Sequence, residues 1–108
     1  MSIRHLRFDD SATIGFAALT GTYADFLALS DDCDILFIFN TTNAPVLLSI
    51  PSGLVASAVV YKNIRFPASS SMAIDCRTNS KRIAKGTIQI KYASGAPTSG
   101  EVTVTAVR

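Results

Sequence analysis

The sequence predicts an all-β protein: a single-domain β-sandwich, jelly-roll-like, with an extended N-terminal arm. Three observations predict it. Apolar and polar residues alternate with period two along much of the chain, the alternating segments are short and divided by turn residues, and no long stretch keeps helical spacing. A chain of 108 residues builds one domain around one core. Residues 1–10 read as the arm and residues 11–108 as the sandwich.

Each element is justified in turn. After the arm, ATIGFAAL (12–19) reads as a strand that ends at the Thr20-Gly21 break. TYADFLALS (22–30) admits two readings. Thr22 and Asp25 have capping-box spacing, and Phe16, Leu19, Tyr23 and Phe26 repeat at helical spacing. Gly15 and Gly21 interrupt a helix, and Tyr23, Leu27 and Leu29 fit one strand face, so strand is favoured. DILFIFN (34–40) holds five consecutive apolar residues, as in a strand buried on both faces. Asn40-Thr41-Thr42-Asn43-Ala44-Pro45 has turn chemistry, and VLLSI (46–50) is expected to return as the partner strand.

Pro51-Ser52-Gly53 is a further turn, and LVASAVVYKNIRFPA (54–68) reads as a β-branched strand stopped by Pro67. In SMAIDCR (71–77), Met72, Ile74 and Cys76 alternate with Ala73 and Asp75, and a Thr78-Asn79-Ser80 turn follows. The chain closes on two alternating stretches. Ile88, Ile90 and Tyr92 oppose Thr87, Gln89 and Lys91; Val102, Val104 and Ala106 oppose Thr103, Thr105 and Val107. Around a loop of small residues they read as a hairpin with one buried face.

Composition narrows the function classes. The chain is 48% hydrophobic and 17% charged without Trp, which is a globular composition. No apolar run reaches the roughly 18–20 residues of a membrane span, so no membrane partner is expected. MSIRHLRFDDS lacks the apolar core of a secretory signal, so a soluble protein made in the cytoplasm is expected. Cys33 and Cys76 have no neighbouring His or Cys to form a zinc site and read as reduced, buried packing thiols.

Charge is lopsided. Residues 1–60 sum to −4 and residues 61–108 to +6, for a net +2. Arg77, Lys81, Arg82 and Lys85 form a candidate basic surface. Few aromatics accompany it, so direct nucleic-acid binding is not expected, whereas charge complementarity between subunits or an ordinary solvated surface fits.

Catalytic patterns are missing. The single histidine, His5, lies in the arm, no Gly-x-Ser-x-Gly occurs, and neither phosphate-binding glycine motif is present. Asp31-Asp32-Cys33-Asp34 lacks the alternating ligands of a calcium loop and reads as a solvated turn. Asn40-Thr41-Thr42 matches a glycosylation sequon in form but reads as a turn. The sequence points to no enzyme, no metal and no cofactor.

Three stretches carry a resemblance: IFNTTNAPVLLSIPSG, IRFPASSSMAIDCRTN and AKGTIQIKYASGAPTSGEVTVTAV. Together they resemble small structural proteins encoded by tailed bacteriophages, the Gly-Ala-Pro-Thr-Ser-Gly loop being the most specific element. Relatives of this kind often have Asp-Gly where this chain has Pro51-Ser52-Gly53. The resemblance implies a β-sandwich virion component, and within that class a capsid decoration (cement) protein. Implied partners are the major capsid protein or other virion proteins, with homo-oligomers, trimers among them, in the virion.

The arm agrees with that reading. Ile3, Leu6 and Phe8 beside Arg4 and Arg7 make an apolar, cationic segment. It suits either an edge strand of its own domain or an arm laid on a neighbouring subunit. Ile3, Arg4, Leu6, Arg7 and Phe8 are therefore the candidate interface. The alternatives are a neck, tail or fibre component and, from another class, a carbohydrate- or receptor-binding module.

Overall fold

The computed structural model describes residues 8–51, 53–55, 61–76 and 82–108. Along these the strands are β1 (Phe8–Gly15), β2 (Ala24–Leu29), β3 (Ile35–Asn40), β4 (Val46–Ile50) and β5 (Leu54–Val55). They continue as β6 (Tyr61–Phe66), β7 (Ser70–Asp75), β8 (Arg82–Ile83), β9 (Gly86–Tyr92) and β10 (Glu101–Val107). A 3-10 turn at Phe16–Ala18 is the one helical element among the described residues.

Two four-stranded antiparallel sheets form. The first has the order β1-β10-β3-β7 and the second β2-β9-β4-β6, while β5 and β8 make a small two-stranded ribbon. The pairs β1–β10, β2–β9, β3–β7 and β4–β6 show the logic. The chain doubles back once, between β4 and β6, into a long antiparallel ribbon, and that ribbon wraps so that successive pairs fall in opposite sheets. This is the eight-stranded jelly roll, with the ribbon β5–β8 added, and the all-β sandwich expected from the sequence is the fold observed.

Period-two alternation locates the strands because it states which face is buried. Val107, on the opposite face of β10, is buried too, and on the alternating inward faces the buried residues are Ile88 and Ile90 in β9 and Val102, Val104 and Ala106 in β10. They meet Leu36 and Ile38 of β3 and Val46, Leu48 and Ile50 of β4 in one cluster, with Phe66 the largest fully buried side chain. Each such aliphatic or aromatic side chain contributes about 1.5–3 kcal/mol on leaving water. β2 is a strand, as favoured, and β4 occupies the expected residues.

Alternation does not name the neighbour, and here the expectations fail. β9 and β10 are not a hairpin: β9 pairs with β2 and β4, β10 with β1 and β3. Likewise β4 is not the partner of β3. In both cases the intervening turn carries the chain from one sheet to the other. LVASAVVYKNIRFPA is not one strand but contains β5 and β6, which lie in different sheets. ATIGFAAL leaves strand geometry after Gly15, at the 3-10 turn. Phe8, Asp9 and Asp10 lie within β1, the edge strand beside β10.

β3 corrects a further expectation. Its five apolar residues are not buried alike: Leu36 and Ile38 enter the core, but on the other face exposure rises from 3% at Ile35 to 44% at Phe39. Met72 on edge strand β7 is also exposed, at 46%, although it shares the alternation of Ile74 and Cys76.

Candidate interaction surface

The outer face of the first sheet is built from register pairs. One row runs Thr13, Thr103, Phe39, Ser71 across β1, β10, β3 and β7; the next runs Ser11, Thr105, Phe37, Ala73. None of these eight side chains is charged. The hydroxyls of Thr13 and Thr103 are hydrogen-bonded at 2.9 Å and those of Ser11 and Thr105 at 3.1 Å, forming a ladder beside the two phenylalanines. Two open grooves of about 340 Å³ each flank Phe39. One is bounded by Thr41 and Ser69–Ser71, the other by Phe37, Met72 and Ala73.

The outer face of the second sheet is different in kind. Asp25 pairs with Gln89, and Arg65, Leu47 and Lys91 form a row. Gln89 donates to Asp25 at 3.1 Å, and the Lys91 ammonium lies 4.8 Å from the centre of the Tyr23 ring. Tyr23 donates its hydroxyl to Asn63 Oδ1 at 2.6 Å, and its burial pushes the phenol pKa up. This face has the charges and polar contacts of a surface adapted to water.

At one end of the sandwich, the turn after β3 is a hydrogen-bonded hub. Asn40 and Thr42 are fully buried. Asn40 Nδ2 donates to the carbonyls of Ala44, Phe66 and Pro67, and Asn40 Oδ1 accepts from the N–H and hydroxyl of Thr42. Asn40 therefore ties the β3–β4 turn to the end of β6, and the sequon-like Asn-Thr-Thr is a structural device. Turn chemistry was legible in the sequence, but the burial of Asn40 was not.

At the other end, the acidic run is answered by cations from distant sequence. Arg82 Nε donates to Asp34 at 3.0 Å and Arg82 Nη2 to the Asp32 carbonyl at 3.1 Å. Asp31 pairs with Arg108, and Asp32 Oδ1 accepts the Lys85 backbone N–H at 2.8 Å. The charge asymmetry along the chain is thus partly cancelled in space. The carboxylates turn to separate partners rather than converging on a cation position.

Of the residues singled out from sequence, Ile3, Arg4, Leu6, Arg7, Arg77 and Lys81 lie outside the described residues. Phe8 stands opposite Val107 at the start of β1. Arg82 is engaged as above, and Lys85 is exposed just before β9. Phe37 and Phe39 were missed as surface residues because a run of five apolar residues reads as doubly buried. The available signal was the hydroxyl alternation of Thr103 and Thr105, which belongs to the same face.

Both cysteines are buried, Cys33 at 1% exposure and Cys76 at 3%. Cys76 N–H donates to the Asp34 carbonyl, which sets it beside the start of β3. Burial pushes the Cys33 thiol up to about 12, against the pull of the nearby Arg82 guanidinium.

No protein-family model and no curated protein matches the chain. Among solved structures it is similar to a chain described under "Bacillus endospore appendages form a novel family of disulfide-linked pili". The TM-score is 0.51 at 18% identity, over 98% of this chain and 89% of that one. At this identity the likeness is one of fold: the jelly-roll sandwich is shared over the whole domain.

Proposed function

We propose that this chain is a structural subunit acting by protein–protein contact in a large assembly, and specifically a capsid decoration protein of a tailed-phage virion. The observation that carries the reading is the outer face of the first sheet, whose two central rows are uncharged between Glu101 and Asp75 at its ends, with Phe39 44% exposed in a domain whose other sheet face carries charge. The resemblance of IFNTTNAPVLLSIPSG and GAPTSG to phage structural proteins supplies the virion, the capsid partner and the cement role. The mechanism is passive. Shape-matched contacts, reinforced by an arm laid on a neighbouring subunit, raise the energy needed to separate capsomers, and repetition over a symmetric shell multiplies a modest contact.

The arm is tested by removing residues 1–7, which keeps β1 whole. The expected result is a folded protein whose binding to particles is weakened; undiminished binding would refute the role of Ile3, Arg4, Leu6 and Arg7.

A second reading, a subunit of a pilus-like appendage, is favoured by the fold match over 98% of the chain. Disulfide linkage between copies is disfavoured, because the only two cysteines of this chain are buried in the core. Non-reducing electrophoresis of assembled material discriminates: a ladder of covalent multimers supports the appendage, and a single monomer band supports non-covalent cement.

A further inference from the structure

The two outer faces of the sandwich were not built for the same surroundings. The second sheet presents Asp25, Lys91 and Arg65 to water, whereas the two central rows of the first present only Ser, Thr, Ala and Phe. The hydroxyls nearest the phenylalanines already bond one another at 2.9 and 3.1 Å. Each bond satisfies one of the two donors in its pair, so covering the ladder costs less than covering four free hydroxyls, which lowers the desolvation penalty of burying this face.

We propose that this face is a homotypic docking surface. A second copy of the chain lays its own first sheet on it about a two-fold axis, and each Phe39 enters the groove bounded by Phe37, Ser71 and Ala73 of the other copy. The neutrality of the central rows points to a second copy as the occupant. Across a two-fold axis a surface meets itself, so any charge near the axis would be opposed by its own kind, and this face has none in its central rows. Two such sheets pack about 10 Å apart, as the two inner faces of a sandwich do.

The area sets the strength. With strands about 4.8 Å apart and same-face residues about 6.8 Å apart along each strand, the two rows cover on the order of 300 Å² per copy. A free-standing complex buries about 800 Å² per partner, so the contact is weak in dilute solution and gains strength where copies are held side by side. The proposal rests on the assembly-subunit reading. It is tested on the isolated protein, so its failure leaves that reading standing, while loss of particle labelling would remove that reading without touching the dimer.

The experiment is a concentration series from about 10 µM to about 1 mM, followed by sedimentation velocity and by amide chemical shifts. The expected result is a monomer–dimer equilibrium, with shifts that move with concentration at Phe37, Phe39, Ser71, Thr103 and Thr105. Phe39→Lys and, separately, Ser71→Lys should each weaken dimerisation about tenfold or more with unchanged melting temperature. Ser71 is exposed, so its variant keeps the test valid if Phe39→Lys proves less stable. A monomer at every concentration, a trimer, or shifts confined to other faces would overturn the proposal.

Discussion

Asn43 and Thr98, 55 residues apart in sequence, exchange two hydrogen bonds. Asn43 Nδ2 donates to Thr98 Oγ1 at 2.7 Å, and the Thr98 N–H donates to Asn43 Oδ1 at 2.9 Å. Thr41 and Glu101 are joined beside them, with Thr41 N–H donating to the Glu101 carbonyl. The turn after β3 and the loop before β10 are therefore stapled together. These are the Asn-Thr-Thr-Asn and Gly-Ala-Pro-Thr-Ser-Gly stretches on which the phage resemblance rests. What they encode here is the closure of one end of the sandwich.

That closure depends on Asn40. Asn40→Ala removes five hydrogen bonds and leaves the buried Thr42 N–H and the Phe66 carbonyl without their side-chain partner, while Thr42 Oγ1 still donates to the Ala44 carbonyl and Ser70 Oγ to that of Pro67. The expected loss is about 3 kcal/mol of unfolding free energy, read as a lowered urea midpoint. A loss below about 1 kcal/mol would show that the hub is dispensable.

Gly100 is the matching requirement in the opposing loop. Its φ is +86°, and a Cβ there would press on the Thr41 carbonyl. Gly100→Ala is expected to cost about 2 kcal/mol. Gly15, with nothing near its missing Cβ, is the control: Gly15→Ala should leave the melting temperature within error. Equal effects at both positions would contradict the stapled geometry.

Cys33 gives the protein an alkaline limit. Below pH 9 the thiol keeps its proton in both the folded and the unfolded chain, and stability does not depend on it. Between the ordinary 9.0 and about 12, only the unfolded chain releases the proton, so stability falls as pH rises. The slope reaches at most about 1.4 kcal/mol per pH unit. Cys33→Ala should flatten that slope whatever it does to absolute stability. Mass spectrometry should also find both cysteines unalkylated by iodoacetamide in the native protein and alkylated in urea.

Arg82 and Lys85 should separate in their effects. Arg82→Gln removes the bond to Asp34 from a side chain that is 42% exposed, so the expected loss is only about 0.5–1 kcal/mol, shrinking as salt is added. Lys85→Gln keeps the backbone N–H bond to Asp32 and should be neutral. A larger effect at Lys85, measured by thermal unfolding at low and high salt, would contradict the assignment of Arg82 as the structural cation.

The strands were legible because alternation is written in consecutive residues: Ile88 and Ile90, or Val102 and Val104, declare an inward face. Strand order was not, because the neighbours of Val104 are Ala12 and Ile38, far away in sequence, and no local pattern names them. Local reading joined β9 to β10 and β3 to β4 because their turns look like hairpin turns. The candidate surface was hidden for the same reason. Phe39 reads as core within ILFIF, and becomes surface only once β10 and β7 set Thr103 and Ser71 on either side of it.

The most direct test of a virion role is to raise an antibody to the protein and gold-label particles from a lysate of the producing cells, viewed by electron microscopy. Gold spread evenly over heads is the expected result for a decoration protein, and gold at one vertex or on tails would keep the virion but replace cement with a neck, tail or fibre role. Unlabelled particles in a lysate rich in the protein would contradict the virion assignment altogether.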